Sequence, residues 1–255
     1  MIPIKSERDL RIMRKACVIA ANVLEKLCRV VREGISTWEI DQAAKEFMAE
    51  YSARSACYKY KSGSLRFPSY ICTSVNDEVI HGIGSPSRIL KSGDIVSMDV
   101  SVVYQGFVGD NTRTVAVGNV KPEVLDLVKT SQEALMEGIA AALPGNRVGD
   151  ISAAIQRRVE IAGYGIVEEF TGHGVGKKMH EEPAIPNYGK AGTGPVLKSG
   201  MCLAIEPMIT LGSPEIFELE DGWTIKTVDG KASSHSEHTI LVTDSGPEIL
   251  TIADI

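Results

Sequence analysis

LKSGDIVSMD at residues 90–99 and LKSGMCLAIE at residues 197–206 are two copies of one motif, 107 residues apart. The copies differ after the glycine, yet each keeps an acidic residue six positions beyond it, Asp99 in the first and Glu206 in the second. A duplication that only built a scaffold would have no need of these acids. Two halves that contribute acids at matching positions predict one shared site on a pseudo-two-fold axis.

Three further pairs of segments match between the halves, and they begin at His81 and His173, at Asp110 and Glu237, and at Gly34 and Gly145. No linker or low-complexity segment separates the halves, which span about residues 1–118 and 119–255. We therefore expect a single domain, residues 1–255, in which both halves share one core.

Composition narrows the class of protein. Hydrophobic residues make up 44% of the chain and charged residues 24%, as in ordinary globular proteins. The net charge of −6 argues against a nucleic-acid binder, and five cysteines without Cys-x-x-Cys spacing argue against a disulfide framework or a zinc finger. The charged N-terminal stretch does not fit a signal peptide, and no apolar run approaches a membrane span. We therefore expect a cytoplasmic protein that binds neither DNA nor membrane.

The secondary structure predicted for the two halves is similar. Apolar periodicity and helix boundary signals predict helices over 6–31, 36–51, 122–143 and 150–163. Ser36 and Glu39 form a predicted capping box at the start of the second helix. Residues 95–103 and 108–117 are predicted to pair as a hairpin that turns at 105–107, and further strands are predicted over 201–211, 223–228 and 237–243.

The acids of the repeat are predicted to converge. Taken singly, each is more simply a solvent-facing residue of a strand, but Asp99 and Glu206 share one repeat position. Asp110 follows Asp99 by 11 residues across the predicted hairpin, which would bring their side chains together. Carboxylates that close are costly unless one is protonated or a cation lies between them, and a divalent metal resolves the conflict. His173, between glycines, is the best candidate for a nitrogen ligand.

Seven segments occur in an order and with spacings that resemble a type I methionine aminopeptidase of the pita-bread fold: SVNDEVIHGI, GDIVSMDVSV, GDNTRT, TGHGVG, HEEP, AIEP and EHT. The resemblance covers nearly the whole chain. It implies an α+β, pita-bread fold, in which two pseudo-symmetric halves of antiparallel strands, covered by helices, surround one central dimetal site.

The resemblance also implies roles for individual residues. The implied metal ligands are Asp99, Asp110, His173, Glu206 and Glu237. The implied catalytic residues are His81, His180 and Glu206. The implied substrate-binding residues are His81, His180, Phe67, Cys72, Met179 and Trp223. A monovalent cation is implied at Asn76 and Ser233. The two divalent ions implied could be cobalt, manganese, iron or zinc, among which the sequence does not choose.

The implied activity is removal of the initiator methionine from nascent chains whose N-terminus has been deformylated, with a preference for a small second residue. A metal-activated bridging hydroxide would attack the first peptide bond, and Glu206 would transfer the proton to the leaving amine. His180 would contact the carbonyl oxygen and His81 the scissile nitrogen. The resemblance further implies a monomer that associates transiently with the ribosome.

The chain departs from the family at two places, and both bear on substrate range. His235 and Ser236 replace the usual glutamine and aromatic residue before the last glutamate, and the segment YKYKSGSLRFP at 58–68 is longer than usual. Two alternatives stay open. A proline-specific peptidase of the same fold would carry an additional N-terminal domain, and a non-catalytic pita-bread binding module would lack metal ligands.

Overall fold

The computed structural model describes residues 2–255. Within them four α-helices lie at α1 (Glu7–Val30), α2 (Thr37–Glu50), α3 (Pro122–Ala141) and α4 (Val148–Ala162). The strands of the first half are β1 (Arg54–Ser55), β2 (Lys61–Ser62), β3 (Leu65–Arg66), β4 (Cys72–Val75), β5 (Glu78–Ile80), β6 (Ile95–Tyr104) and β7 (Phe107–Ala116). Those of the second half are β8 (Gly165–Ile166), β9 (Thr171–Gly174), β10 (Glu181–Pro186), β11 (Cys202–Ile205), β12 (Met208–Thr210), β13 (Ile216–Glu218), β14 (Ile225–Thr227), β15 (Ser233–His235), β16 (Glu237–Thr243) and β17 (Gly246–Ile249).

The predicted capping box at the start of α2 is confirmed. The Ser36 hydroxyl accepts a hydrogen bond from the Glu39 backbone N–H at 3.2 Å, and the Glu39 carboxylate accepts one from the Ser36 N–H at 2.8 Å. These two bonds satisfy N–H groups that have no partner inside the helix. The fourth helix starts at Val148, two residues before its predicted start, because the Asp150 carboxylate accepts the Arg147 N–H at 2.7 Å from within the first turn.

Nine strands from both halves form one sheet, whose central order is β1-β6-β7-β16-β11-β9-β10, with β4 on β6 and β17 on β16. The halves meet where β7 pairs antiparallel with β16, Thr112 opposite Glu237. The predicted hairpin is confirmed as β6 and β7, but its turn has only two residues, Gln105 and Gly106. Both have positive φ angles, 47° and 84°, as the tight turn of a twisted hairpin requires.

Equivalent hydrogen bonds confirm the repeat. The Gly34 N–H donates to the carbonyl of Leu90 at 2.8 Å, and the Gly145 N–H donates to that of Leu197 at 3.0 Å. In both halves, therefore, the turn before the second helix is joined to the first residue of the Leu-Lys-Ser-Gly motif. The sequence match and the backbone geometry identify the same pseudo-symmetry.

One element of the predicted repeat is wrong. His173 lies opposite Ala204 on β9 and β11, and Ser74 lies opposite Ser97 on β4 and β6. Ala204 and Ser97 each lie two residues before an acid of the repeat, so Ser74 is the structural counterpart of His173. His81 follows β5 and lies outside this pairing. The His-Gly-x-Gly match is thus a likeness of short segments and not of position.

The strand predicted over 201–211 is interrupted at Glu206 and Pro207. Its first part, β11, belongs to the nine-stranded sheet, and its second part, β12, pairs with β15 and β8 in a separate three-stranded sheet. Proline has no N–H to donate to a ladder, so it commonly stands where a strand ends. The interruption leaves the Glu206 side chain between two sheets.

Two apolar clusters hold the helices against the sheet. The first packs α1 and α2 on β4 and β6, and the second packs α3 and α4 on β11 and β16. On β6, Met98 and Val100 point into the first cluster, so Asp99 between them points to the opposite face. None of the four helices within residues 2–255 is both long enough and apolar enough to cross a lipid bilayer.

Candidate metal centre and active site

The five residues predicted as metal ligands come from five neighbouring strands of the large sheet: Asp99 on β6, Asp110 on β7, Glu237 on β16, Glu206 just after β11, and His173 on β9. Each of Asp99, Asp110 and Glu237 offers a carboxylate oxygen within 4.8 Å of the other two. Nε2 of His173 lies 3.3 Å from Oε1 of Glu206 and 4.0 Å from Oδ2 of Asp110. The fold therefore brings all five together at the junction of the two halves.

The surroundings of the four carboxyl groups raise their pKa values and so disfavour their ionised forms. Burial, reinforced by the Asp110 carboxylate, raises the pKa of Asp99 to about 7. Burial and the Glu206 carboxylate raise the pKa of Asp110 to about 7 against a hydrogen bond from Ser101 that lowers it. Burial raises the pKa of Glu206 to about 8, and burial with three neighbouring carboxylates raises that of Glu237. Four acids in this state need protons or a cation.

Neighbouring polar groups orient these ligands and leave part of each free. The Ser101 hydroxyl donates to Oδ1 of Asp110 at 2.6 Å, and the Thr112 hydroxyl donates to Oε2 of Glu237 at 2.8 Å. Within residues 2–255, no donor reaches the buried Oδ1 of Asp99 or the buried Oε1 of Glu237. Buried oxygens without a partner are rare in proteins, and these fit a bound cation.

The hydrogen-bond geometry of His173 also indicates a bound cation. Its Nδ1 lies 2.9 Å from the Gly174 carbonyl oxygen, which can only accept, so Nδ1 carries the hydrogen. In the neutral ring Nε2 then presents a lone pair to the carboxylates. Nitrogen and oxygen lone pairs repel each other at 3.3 Å unless a cation lies between them, and metal-bound histidines commonly use their other nitrogen in this way. The residues present therefore fit divalent metal.

A cavity of about 870 Å³ opens beside the cluster, and the five ligands contribute to its wall. The predicted pocket residues Phe67, Cys72, Met179 and Trp223 line it as well. The rings of Phe67 and Trp223 meet edge to face, 5.2 Å between centroids. The acidic cluster and an apolar wall that contains sulfur atoms thus line the same cavity.

Both predicted non-ligand histidines lie in this cavity. His81 has a φ angle of +59°, which is strained for a residue with a large side chain and is typical of functional positions. Burial lowers the pKa of His81 to about 4, which keeps its ring neutral. The ring of His180 lies edge to face with that of His173, 4.5 Å between centroids.

Tyr60 is a site residue that the sequence analysis missed. Its hydroxyl lies 3.0 Å from Nδ1 of His180, and its ring lines the cavity. Tyr60 precedes the short hairpin β2–β3, which is part of the unusually long segment 58–68. The length of that segment was the only sequence signal for it, and it pointed to no individual side chain.

Asn76 and Ser233 lie together, the Ser233 N–H donating to the Asn76 carbonyl oxygen at 2.8 Å. The Asn76 side chain is occupied otherwise, since it donates to Asp94 at 2.8 Å and accepts from the Ile95 N–H at 2.9 Å. Neither residue lines the large cavity within the described chain. The monovalent cation at this place stays a prediction.

A buried ion pair holds the loop that carries Met179 and His180. Nζ of Lys5 lies 2.6 Å from Oε2 of Glu181, and their side chains are only 7% and 11% exposed. The other oxygen of Glu181 accepts the backbone N–H groups of Lys177 and Lys178 at 2.9 and 3.2 Å. The N-terminal segment and the loop are thereby joined across 176 residues of sequence.

Lys5→Met should lower the free energy of unfolding by about 3–5 kcal/mol, because it leaves the Glu181 carboxylate buried without its cation. Arg14→Met is the matched control: the Arg14–Glu248 pair is 43% and 42% exposed, and losing such a surface pair costs about 1 kcal/mol or less. Urea unfolding of both variants measures the difference. Equal losses would contradict the importance of the buried pair.

Comparisons with known proteins identify the family of the chain. The sequence model of metallopeptidase family M24 matches residues 11–244. The methionine aminopeptidase of Clostridium acetobutylicum is 42% identical over 254 residues, all of both chains. The crystal structure of methionine aminopeptidase from Rickettsia prowazekii superposes with a TM-score of 0.95 at 40% identity, covering 99% of this chain and 100% of that one.

A more distant neighbour shares the fold alone. Prolidase from Pyrococcus furiosus has a TM-score of 0.78 at 24% identity, and the match covers 99% of this chain but only 66% of that one. The predicted pita-bread fold is confirmed by both kinds of neighbour. On the family model and the full-length relatives, the chain belongs to metallopeptidase family M24 and, within it, to the methionine aminopeptidases.

Proposed function

We propose that this enzyme removes the N-terminal methionine from polypeptide chains. The observation that carries the proposal is that one cavity is lined by two different surfaces. One is the cluster of four carboxylates and a histidine, and the other is a wall of Phe67, Cys72, Met179 and Trp223. An unbranched thioether side chain suits such a wall, and a free α-amine suits the acidic cluster beside it.

Two divalent ions are proposed for the cluster, and Asp99, Asp110, His173, Glu206 and Glu237 would hold them. Bound there, they would supply Lewis-acid chemistry, which includes lowering the pKa of water toward neutrality. Cobalt, manganese, iron and zinc all accept this mixture of oxygen and nitrogen ligands.

The chain's own residues would perform the proton transfers. Glu206 accepts a proton from the attacking water and delivers it to the nitrogen of the leaving peptide, as the C–N bond breaks. The Tyr60 hydroxyl, 3.0 Å from Nδ1 of His180, would donate to that nitrogen. Nε2 of His180 then carries the hydrogen and would donate a hydrogen bond to the carbonyl oxygen as negative charge develops there. His81, held neutral, contacts the scissile nitrogen.

The wider biological setting follows from the same proposal. The substrates would be deformylated nascent chains with a small second residue, met in the cytoplasm during transient association with the ribosome. The chain would act as a monomer, with residues 1–255 as one catalytic domain.

Methionine release from Met-Ala-Ser by metal-stripped protein, before and after addition of Mn²⁺ or Co²⁺, tests the proposal. We expect release only with metal, much slower release from Met-Leu-Ser, and none from formyl-Met-Ala-Ser, whose amine is blocked. Cleavage of Ala-Pro peptides in place of Met-Ala-Ser would instead establish a proline-specific peptidase. Failure to bind metal would establish a non-catalytic binding module.

A further inference from the structure

His235 is buried beside the catalytic cluster and has no assigned role. It ends β15 opposite Met208 of β12, which places it next to the interruption at Glu206 and Pro207. Its backbone is held on both sides by Thr114, whose hydroxyl accepts the His235 N–H at 3.1 Å and donates to the His235 carbonyl at 2.8 Å. The side chain is only 3% exposed.

The imidazole of His235 lies beside the Glu206 carboxylate. Its Nε2 lies 3.4 Å from Oε2 of Glu206 and, among residues 2–255, has no hydrogen-bond partner. A buried polar nitrogen without a partner is costly. Among residues 2–255, the carboxylate within 4.0 Å of this nitrogen is that of Glu206, on which the proposed proton transfer depends.

The two oxygens of Glu206 have chemically different neighbours. Oε1 faces Nε2 of His173, the nitrogen left for the proposed metal because Nδ1 of that ring donates to the Gly174 carbonyl. With metal bound, His173 has no hydrogen to donate to Glu206. Oε2 faces Nε2 of His235, which is free to carry the hydrogen. A ring nitrogen facing an ionised carboxylate is favourable with a hydrogen and unfavourable with a lone pair. Among residues 2–255, the imidazole nitrogens within 4.0 Å of Glu206 belong to His173 and His235, so with metal on His173 the donor that remains is His235.

We propose that His235 is a positioning residue that donates a hydrogen bond from Nε2 to Oε2 of Glu206 and keeps Oε1 directed at His173 and the metal cluster. Closing the contact from 3.4 Å to a hydrogen bond needs a shift of about 0.5 Å. Catalytic hydrogen bonds are often long before the substrate binds and shorten in the complex. The inference rests on the proposed function, because that function gives Glu206 its role in proton transfer. The position of His235 beside Glu206 is independent of it.

Two substitutions of similar size and shape test whether the hydrogen-bond donor of His235 is what matters. His235→Gln and His235→Met both place an unbranched side chain in the site, and only glutamine carries an N–H that reaches Oε2. His238→Gln is the matched control, because that neighbouring histidine is also largely buried but bonds to Thr251, 2.8 Å away, and not to the cluster. Affinity for Co²⁺ by calorimetry, the Co²⁺ absorption spectrum, kcat and KM for Met-Ala-Ser, and urea unfolding are measured for each.

We expect His235→Met to lower Co²⁺ affinity and kcat by about 10- to 100-fold each, the usual cost of losing a group that orients a metal ligand. KM should change little, because His235 does not line the substrate cavity. His235→Gln should recover most of both losses, and His238→Gln should match the unaltered protein. Equal impairment of the glutamine and methionine variants, or none in either, would overturn the proposal.

The tautomer of His235 can be measured in the unaltered protein, so this test does not depend on whether a variant folds. Nitrogen-15 NMR of histidine-labelled protein loaded with Zn²⁺, which is diamagnetic and requires an ionised Glu206 as ligand, should show the hydrogen on Nε2, and a hydrogen on Nδ1 alone would refute the inference. If the unaltered protein binds Co²⁺ but releases no methionine, the proposed function fails, while the tautomer and the Co²⁺ affinities still decide the role of His235.

Discussion

Glu206→Gln is expected to reduce kcat for methionine release by about 10²- to 10⁴-fold, the usual contribution of a positioned general base. Glutamine keeps the size of the side chain and an oxygen that faces His173, but it cannot accept the proton of the attacking water. The measurement is kcat and KM on Met-Ala-Ser at saturating metal, with the metal content of the same sample determined in parallel.

The metal content separates loss of the base from loss of a ligand. Glu182→Gln is the control for charge, since Glu182 is an exposed glutamate that lines the same cavity outside the cluster. It should change kcat less than about threefold, as expected of a solvated side chain that takes no part in proton transfer. Full activity of Glu206→Gln with metal bound would show that another residue moves the proton.

Metal-stripped protein should become less stable as the pH rises from 6.5 to 8.5, above the range in which the buried histidines, whose pKa values are lowered to about 4, contribute the opposite slope. The folded-state pKa values of Asp99 and Asp110 are raised to about 7, and that of Glu206 to about 8. A raised pKa means that the folded state binds more protons than the unfolded chain, so these protons stabilise the fold at low pH and are lost as the pH passes the raised values. Each pKa unit corresponds to about 1.4 kcal/mol, so the summed loss should reach several kcal/mol.

Urea unfolding at several pH values, with and without saturating Mn²⁺, measures this effect. Metal should remove most of the loss, because it neutralises the carboxylates in their ionised state and binds the folded chain alone. Asp110→Asn supplies the sharpest control: without metal at pH 8.5 it should be more stable than the unaltered protein, and it should gain little from Mn²⁺. Stability that rises with pH in metal-stripped protein would contradict the raised pKa values.

Much of the fold follows from short-range patterns in the sequence. The capping box at Ser36, the hairpin of β6 and β7 and the strand at Glu237 depend on residues within a few positions of one another, and alternation along β6 places Asp99 on its face. The repeat then predicted that acids from both halves would meet. Prediction was less accurate where a single backbone feature changed the pairing, as Pro207 did.

The contacts that complete the site could not be predicted from the sequence. Tyr60 meets His180 across 120 residues, and Lys5 meets Glu181 across 176. His81 shares a motif with His173 but not its place in the sheet. The sequence by itself determined the ligand types, the repeat and the local elements, because these depend on neighbours along the chain. Only the tertiary structure decided that His235 faces Glu206, because the packing of two separate sheets sets that distance.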